Sequence, residues 1–211
     1  MKWVTAIVIA VLIGGCSLTR EAPPVQSYRL DGGEMIGTES TEGCKERVIR
    51  IALIEAPQWL EGTAIHYAGT DHRFYRYTLS RWEQSPVQQI QQLIEKSVIE
   101  SGLFKGVVPY KSLAKNDWLL EVRIEQMLQT IDSTGAGETE LMLYAVLVDQ
   151  YSRRILAQKT FSYQQQVADA GAESAVRGWS EGVTAFKSAL ITWLSQQCDS
   201  QAGIDRSDVD L

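Results

Sequence analysis

The 211-residue chain carries 26 acidic against 20 basic residues, a formal net charge of −6 at neutral pH. A chain of this balance repels nucleic-acid backbones, because that binding rests on Lys and Arg neutralising phosphates. Two histidines and three cysteines leave little material for metal or nucleophilic chemistry.

The chain opens MKWVTAIVIAVLIGGCS, with one positive charge at Lys2 and an apolar run over 4–13. That run is too short to span a bilayer, which needs roughly 20 residues, and it fits the h-region of a secretory signal. Ile13-Gly14-Gly15-Cys16 resembles the bacterial lipobox, in which the thiol takes an S-diacylglycerol, the chain is cut before the cysteine, and the new amine is N-acylated. The competing reading is a buried cysteine in a core strand. Position, charge and small residues all weigh against it. Residues 1–15 are therefore read as a lipoprotein signal peptide and set aside from the fold. Losing Lys2 makes the remainder one unit more negative, and that remainder is long enough for one domain with a substantial core. No later run approaches 18 consecutive apolar residues, so the protein is expected to be anchored to a membrane without crossing it. Residues 16–26, the acylated cysteine and a polar stretch with Pro23-Pro24, read as a tether. Ten residues reach at most about 33–36 Å.

The folded domain is expected over 27–198. Ser27-Tyr28-Arg29-Leu30 reads as a short first strand and 31–43 as a flexible loop. A β-rich run over 48–54 stops at Pro57, and further strands are expected at 64–68 and 72–79, with Tyr75, Tyr77 and Leu79 on one face. Ser85-Pro86-Val87-Gln88 signals a helix start: a serine cap, proline in the first turn and a glutamine completing a capping box. Val87, Ile90, Leu93, Ile94, Val98 and Ile99 then fall on one helical face. Gly102 supplies the stop, and 104–108 starts the next strand. In DWLLEVRIEQML, Trp118, Leu120, Val122 and Ile124 alternate with Glu121, Arg123 and Glu125, the pattern of a half-buried antiparallel strand. Residues 138–149 are apolar on both faces, as in a central strand. A turn at Tyr151-Ser152-Arg153-Arg154 leads into 155–164, which pairs back. The last helix runs over 171–197, and 199–211 reads as an acidic disordered tail. The fold class is α+β: a mainly antiparallel sheet with at least two amphipathic helices packed on one face.

With Cys16 assigned to lipid, Cys44 and Cys198 remain as an even pair in a compartment that permits disulfides. A bond would staple the start of the domain to the end of its last helix and is favoured, while two thiols that never meet stay open. Two cysteines without nearby histidines do not make a zinc set. His66 and His72 lie outside any H-E-x-x-H arrangement, and surface histidines by a hairpin are the commoner case. No G-x-S-x-G elbow, Walker loop or dinucleotide fingerprint is present. No catalytic residue, metal ligand or cofactor is nominated beyond the acyl groups on Cys16. His66, Tyr67, Phe74, Tyr75, Tyr77 and Trp82 crowd into one stretch near Pro57 and Trp59. Cross-strand packing is the first reading. The second is a surface that docks a partner or an acyl chain, with Tyr75 and Tyr77 sharing a face and behaving alike, and Trp82 a buried anchor.

The order of motifs resembles a known family. Behind the lipobox come Tyr28-Arg29-Leu30, Ile51, Pro57, Leu60, Ile65-x-Tyr67 and Tyr75-x-Tyr77 leading to Trp82. Ser85-Pro86 then opens a helix that Ser101-Gly102-Leu103-Phe104 closes. This is similar to the ABC-type transport auxiliary lipoproteins, the PqiC-like family, over most of the chain after Cys16. The Cys44/Cys198 pair and the acidic tail depart from the pattern. The resemblance implies a non-catalytic, periplasm-facing lipoprotein that works with an MCE-domain protein and ABC transporter subunits in moving lipids between membranes. Ser17, where inner-membrane retention commonly places Asp, implies the outer membrane. A different class of function, a carrier that holds a hydrophobic ligand in its own cavity, is the alternative.

Overall fold

The structure is a computed structural model that describes residues 23–34, 42–71 and 73–207. Strict alternation builds its longest element, β6 (Trp118–Ile131). Trp118, Leu120, Val122 and Ile124 are buried, and Glu121, Arg123 and Glu125 are exposed. A bulge between Ile124 and Gln126 shifts the phase by one residue, which keeps Met127 and Gln129 facing inward. β6 pairs antiparallel with β7 (Gly137–Asp149), and β7 with β8 (Ile155–Val167). β7 is central as expected, yet its two faces differ. Leu141, Leu143, Ala145 and Leu147 are buried, whereas Met142, Tyr144, Val146 and Val148 are half-buried, because no helix among the described residues covers that side.

The other edge of β6 is shared along its length. β2 (Val48–Ile51) runs parallel beside Trp118, Leu119 and Leu120, and β3 (Ala64–Gly69) parallel beside Gln129, Thr130 and Ile131. Glu55 bridges Arg123 between them. β5 (Gly106–Pro109) lies parallel outside β2. β4 (Phe74–Trp82) pairs antiparallel with β3 and carries β1 (Gln26–Tyr28) parallel to its end. The result is one mixed eight-stranded sheet whose long ladders are antiparallel. Its short parallel pairings follow from connectivity, since parallel neighbours need a long crossover.

Both helices pack on the inner face. In α1 (Pro86–Glu100), Ser85 Oγ accepts from the Gln88 N–H at 3.3 Å and Pro86 occupies the first turn. Past its end, Gly102 takes φ +61°. α2 (Ala172–Ser207) lies across β7 and β8 beside α1. Trp82, Trp118, Trp179 and Phe186 are among the largest buried side chains, and Phe161 meets Phe186 edge-on at 5.1 Å. No helix among the described residues is long and apolar enough to cross a membrane.

Several boundaries move. β1 ends at Tyr28 rather than Leu30, and β2 at Ile51 rather than 54. Past β2 the chain follows β6 irregularly, with the Ala52 and Glu55 amides donating to Leu120 O and Val122 O. β4 extends to Trp82, and β5 begins only at Gly106, leaving Leu103 and Phe104 as buried anchors behind the helix. On α1 the expected face holds for Ile90, Ile94 and Val98, while Ile99 is exposed and Gln89, Gln91 and Ser97 are buried. The cause is loop backbone laid against the helix. Gln89 Oε1 accepts from Leu30 N at 2.7 Å and Gln91 Oε1 from Ile54 N at 3.0 Å, so the glutamines satisfy amides that have no strand partner. The tail expected over 199–211 is helical to Ser207, because no proline interrupts it and propagation needs no new nucleus. Residues 208–211 lie outside the described residues.

Candidate docking surface

Of the sequence-predicted site residues, Cys16 and His72 lie outside the described residues. Cys44 and Cys198 are joined, with Sγ–Sγ 2.05 Å and Cα–Cα 5.2 Å. A 3-10 turn, Glu42–Cys44, brings the first sulfur to α2. The turn can approach that closely because Gly43 has no Cβ; one there would run into the Cys198 carbonyl.

The aromatic stretch divides between the two sides of the β3/β4 hairpin. His66 opposes Arg76 and Ala68 opposes Phe74, which puts His66 and Phe74 on one face with Trp59. The Trp59 ring meets Phe74 at 5.0 Å and His66 at 5.6 Å, both edge-on. Burial, and then the Arg76 charge, hold the His66 imidazole below its ordinary pKa, so it packs as a neutral ring. On the other face Tyr67 stacks on Tyr75 at 5.2 Å and lies 4.7 Å from Tyr77.

Tyr75 and Tyr77 share this face, but they do not play the same part. Tyr75 is 37% exposed, with its hydroxyl donating to Asp71 at 3.3 Å. Tyr77 is half-buried, and its hydroxyl lies within 2.5 Å of both Gln129 Oε1 and Ala170 O. One phenolic proton serves only one of these acceptors. Gln129 Nε2 is meanwhile buried without a partner. Turning the Gln129 amide over resolves one side of this: Nε2 then donates to Tyr77, which donates to Ala170. Burial, with Tyr67 and Asp169 nearby, pushes the Tyr77 phenol far above its ordinary pKa. Tyr77 is therefore a tie between β4, β6 and the entry to α2. Leu79 drops out of the face because five steps in β4, Arg76 to Arg81, match two in β3, His66 to Ala64.

This distinction is testable by urea unfolding. Tyr77→Phe removes the hydroxyl from a buried network and should cost about 1–3 kcal/mol, whereas Tyr75→Phe should cost close to nothing. Equal effects would show that the two hydroxyls are equivalent after all.

Sequence reasoning missed how the entering chain is fastened. Ser180 Oγ accepts from Asp31 N at 3.1 Å, and Lys187 Nζ donates to Gly32 O at 2.6 Å and to Gly33 O at 3.3 Å. Residues 29–33 thereby lie across the helix pair, between a groove of about 650 Å³ beside α2 and one of about 420 Å³ beside α1. A signal existed: Lys187 stands at helical spacing from Val183, Leu190 and Ile191 in an otherwise apolar stripe. Burial lowers its pKa, and the two carbonyls solvate the charge. Glu121 and Glu125 face solvent, with Glu125 2.6 Å from Arg123. No group of three or more potential metal ligands occurs among the described residues.

A family model described as an ABC-type transport auxiliary lipoprotein component matches residues 28–190. Comparison with curated proteins finds no match. Among solved structures, protein XCC0632 from Xanthomonas campestris is similar at a TM-score of 0.68 and 15% identity, covering 83% of this chain and 99% of that one. An uncharacterized protein follows at a TM-score of 0.58 and 16% identity, covering 81% and 99%. At these identities the likeness concerns the fold alone.

Proposed function

Because the chain belongs to the family of ABC-type transport auxiliary lipoprotein components, we propose that it is a non-catalytic docking component of a lipid transport system. In this reading it is anchored through acylated Cys16 to the periplasmic face of the outer membrane. Its partners are an MCE-domain protein and ABC transporter subunits. The observation that carries the reading is the match over residues 28–190, which spans β4, α1 and most of α2.

Docking fits the geometry better than carriage of a ligand. The space between helices and sheet is filled by Trp82, Trp118, Trp179 and Phe186, where a carrier needs an apolar cavity. The free end of the β3/β4 hairpin instead presents Phe74 and Tyr75 to solvent, residue types that concentrate binding energy at interfaces. Pull-down of the acylated protein from detergent-solubilised envelopes should co-purify an MCE-domain protein. Phe74→Ala with Tyr75→Ala should weaken that capture while the melting temperature falls only modestly, since each ring is in part packed against Trp59 or Tyr67. Recovery of no transporter component with the wild-type chain would sink the reading.

The anchor has its own test. Cys16→Ser should leave an unprocessed precursor, because diacylglycerol must be attached before cleavage. Mass spectrometry of the envelope fraction decides it, and a mature, unmodified N-terminus at another residue is the contrary result. Acyl chains contribute about 0.8 kcal/mol per buried methylene, so two or more anchor stably.

A further inference from the structure

The loop between β5 and β6 has a side-chain scaffold of its own. The Arg50 guanidinium reaches into it from β2. Nε donates to Asn116 Oδ1 at 2.8 Å, one terminal nitrogen to Ser112 O at 2.5 Å and Tyr110 O at 3.4 Å, and the other to Ala114 O at 2.5 Å. Ser112 N donates back to Pro109 O, and Ala114 N to Ser112 Oγ. A loop with its carbonyls gathered in this way is stiff, and the residue it holds out at its apex is apolar. Leu113 is 100% exposed.

The turn between β7 and β8 sits at the same end of the sheet. Trp118 pairs with Asp149, and Gln150 N donates to Asp117 O at 2.8 Å. It too displays apolar residues, with Tyr151 80% and Ile155 62% exposed. Around these tips stand Lys111, Lys115, Arg153 and Arg154, all exposed and none in an ion pair among the described residues. The acids of the two loops are turned inward: Asp117 accepts from Val48 N, and Asp149 from the Ser152 amide and hydroxyl. An acidic chain thus gathers cations around two separate apolar tips.

We infer that this end of the sheet is a contact site for an anionic phospholipid surface, with Leu113 and Tyr151 entering the headgroup layer and the four cations meeting its phosphates. Tyrosine suits the interface, where an apolar ring and a polar hydroxyl are both accommodated. Leucine tips dip below it, and each Lys or Arg near the surface strengthens attraction to anionic lipid. Isolated tips on separate loops suit a fluid layer that closes around them, whereas a protein partner needs a continuous complementary patch. The stiff Arg50-bound loop reduces what binding loses in ordering. The contact is additional to an N-terminal anchor and geometrically compatible with one. By register β1 lies roughly seven residues along β6 from Trp118 and three strands aside, about 23 Å and 14 Å. A ten-residue tether reaches about 33–36 Å. The inference does not depend on the transport reading.

The test uses the full acylated chain carrying Leu113→Cys labelled with an environment-sensitive nitrobenzoxadiazole, reconstituted in vesicles. In phosphatidylethanolamine with phosphatidylglycerol, the emission should shift to the blue and be quenched by lipid-borne nitroxides. In phosphatidylcholine, or at high salt, both signals should fall away. Lys111→Glu, Lys115→Glu, Arg153→Glu and Arg154→Glu together should lower the quenched fraction at least about tenfold at an unchanged melting temperature. A probe that stays in water on anionic vesicles overturns the inference, as does an equal response in phosphatidylcholine. A shift that requires added envelope proteins also overturns it, and assigns the tips to a protein partner.

Discussion

Trp82→Ala should destabilise the domain by about 3–5 kcal/mol, the cost of emptying a large buried aromatic site. Trp82 is 2% exposed, its ring lies 5.7 Å from that of Trp179, and Trp179 Nε1 donates to Glu140 O at 3.2 Å. The pair thus joins the end of β4 to α2 and, through Glu140, to β7. The backbone around Trp82 is equally committed. Its amide donates to Thr63 O and the next amide to Tyr28 O, so β3, β4 and β1 converge on it three residues before the Ser85 cap. Because those elements are held by other contacts as well, the site cannot collapse, and most of the cavity cost should remain. Urea unfolding should show a lower midpoint with an unchanged slope. A loss below about 1 kcal/mol would mean that the ring is not the anchor its burial indicates.

Trp82 was legible in the sequence because it stands directly before a capped helix, where a large apolar residue has few places to go but inward. The same holds for β6, for the start of α1 and for the Gly102 stop, each of which carries a local signal: alternation, a serine followed by proline, a residue tolerant of positive φ. Non-local pairings were not legible. Nothing in residues 48–54 says that β2 runs parallel to β6, or that the Ile54 amide will need Gln91. A polar residue on a helix is read as solvent-facing unless its partner is known, and the partners of Gln89, Gln91 and Lys187 lie 59, 37 and 155 residues away.

The aromatic stretch shows the same limit at the candidate site. Period-two alternation correctly put Tyr75 and Tyr77 on one face. What separates them is the approach of Gln129 and Ala170, and no pattern within 66–82 encodes that. The loop over 110–116 carried a signal that went unread, a leucine flanked by lysines in Lys111-Ser112-Leu113-Ala114-Lys115. The Arg50 clamp that makes it a fixed feature is again 60 or more residues distant. The hairpin end with Phe74 and Tyr75 and the cationic tip with Leu113 and Tyr151 lie toward opposite ends of β6. The two proposed contacts, with a membrane and with a protein, therefore do not compete for the same surface.

Reduction of the Cys44–Cys198 bond should be the other large perturbation. The cysteines are 154 residues apart, and closing so long a loop restrains the unfolded chain by about 5 kcal/mol in the chain-entropy model. Both cysteines are fully buried, so reduction needs local opening or a denaturant and should be slow under native conditions. The fold should survive it, because the core of Trp82, Trp118, Trp179 and Phe186 does not depend on the sulfurs. The melting temperature should nevertheless fall by about 10–20 °C, given some 2–4 °C per kcal/mol for a domain of this size. The turn Glu42–Cys44 should loosen first: on one side it hands over to β2 through Arg47 N to Cys44 O, and on the other it is held to α2 by the bond. Cys44→Ser with Cys198→Ser should melt where the reduced wild type does, which separates loss of the crosslink from side effects of the reductant. A double variant melting within about 2 °C of the oxidised protein, under half the shift expected from a single kcal/mol at the upper end of that range, would show that the rest of the fold already supplies the restraint assigned to the bond.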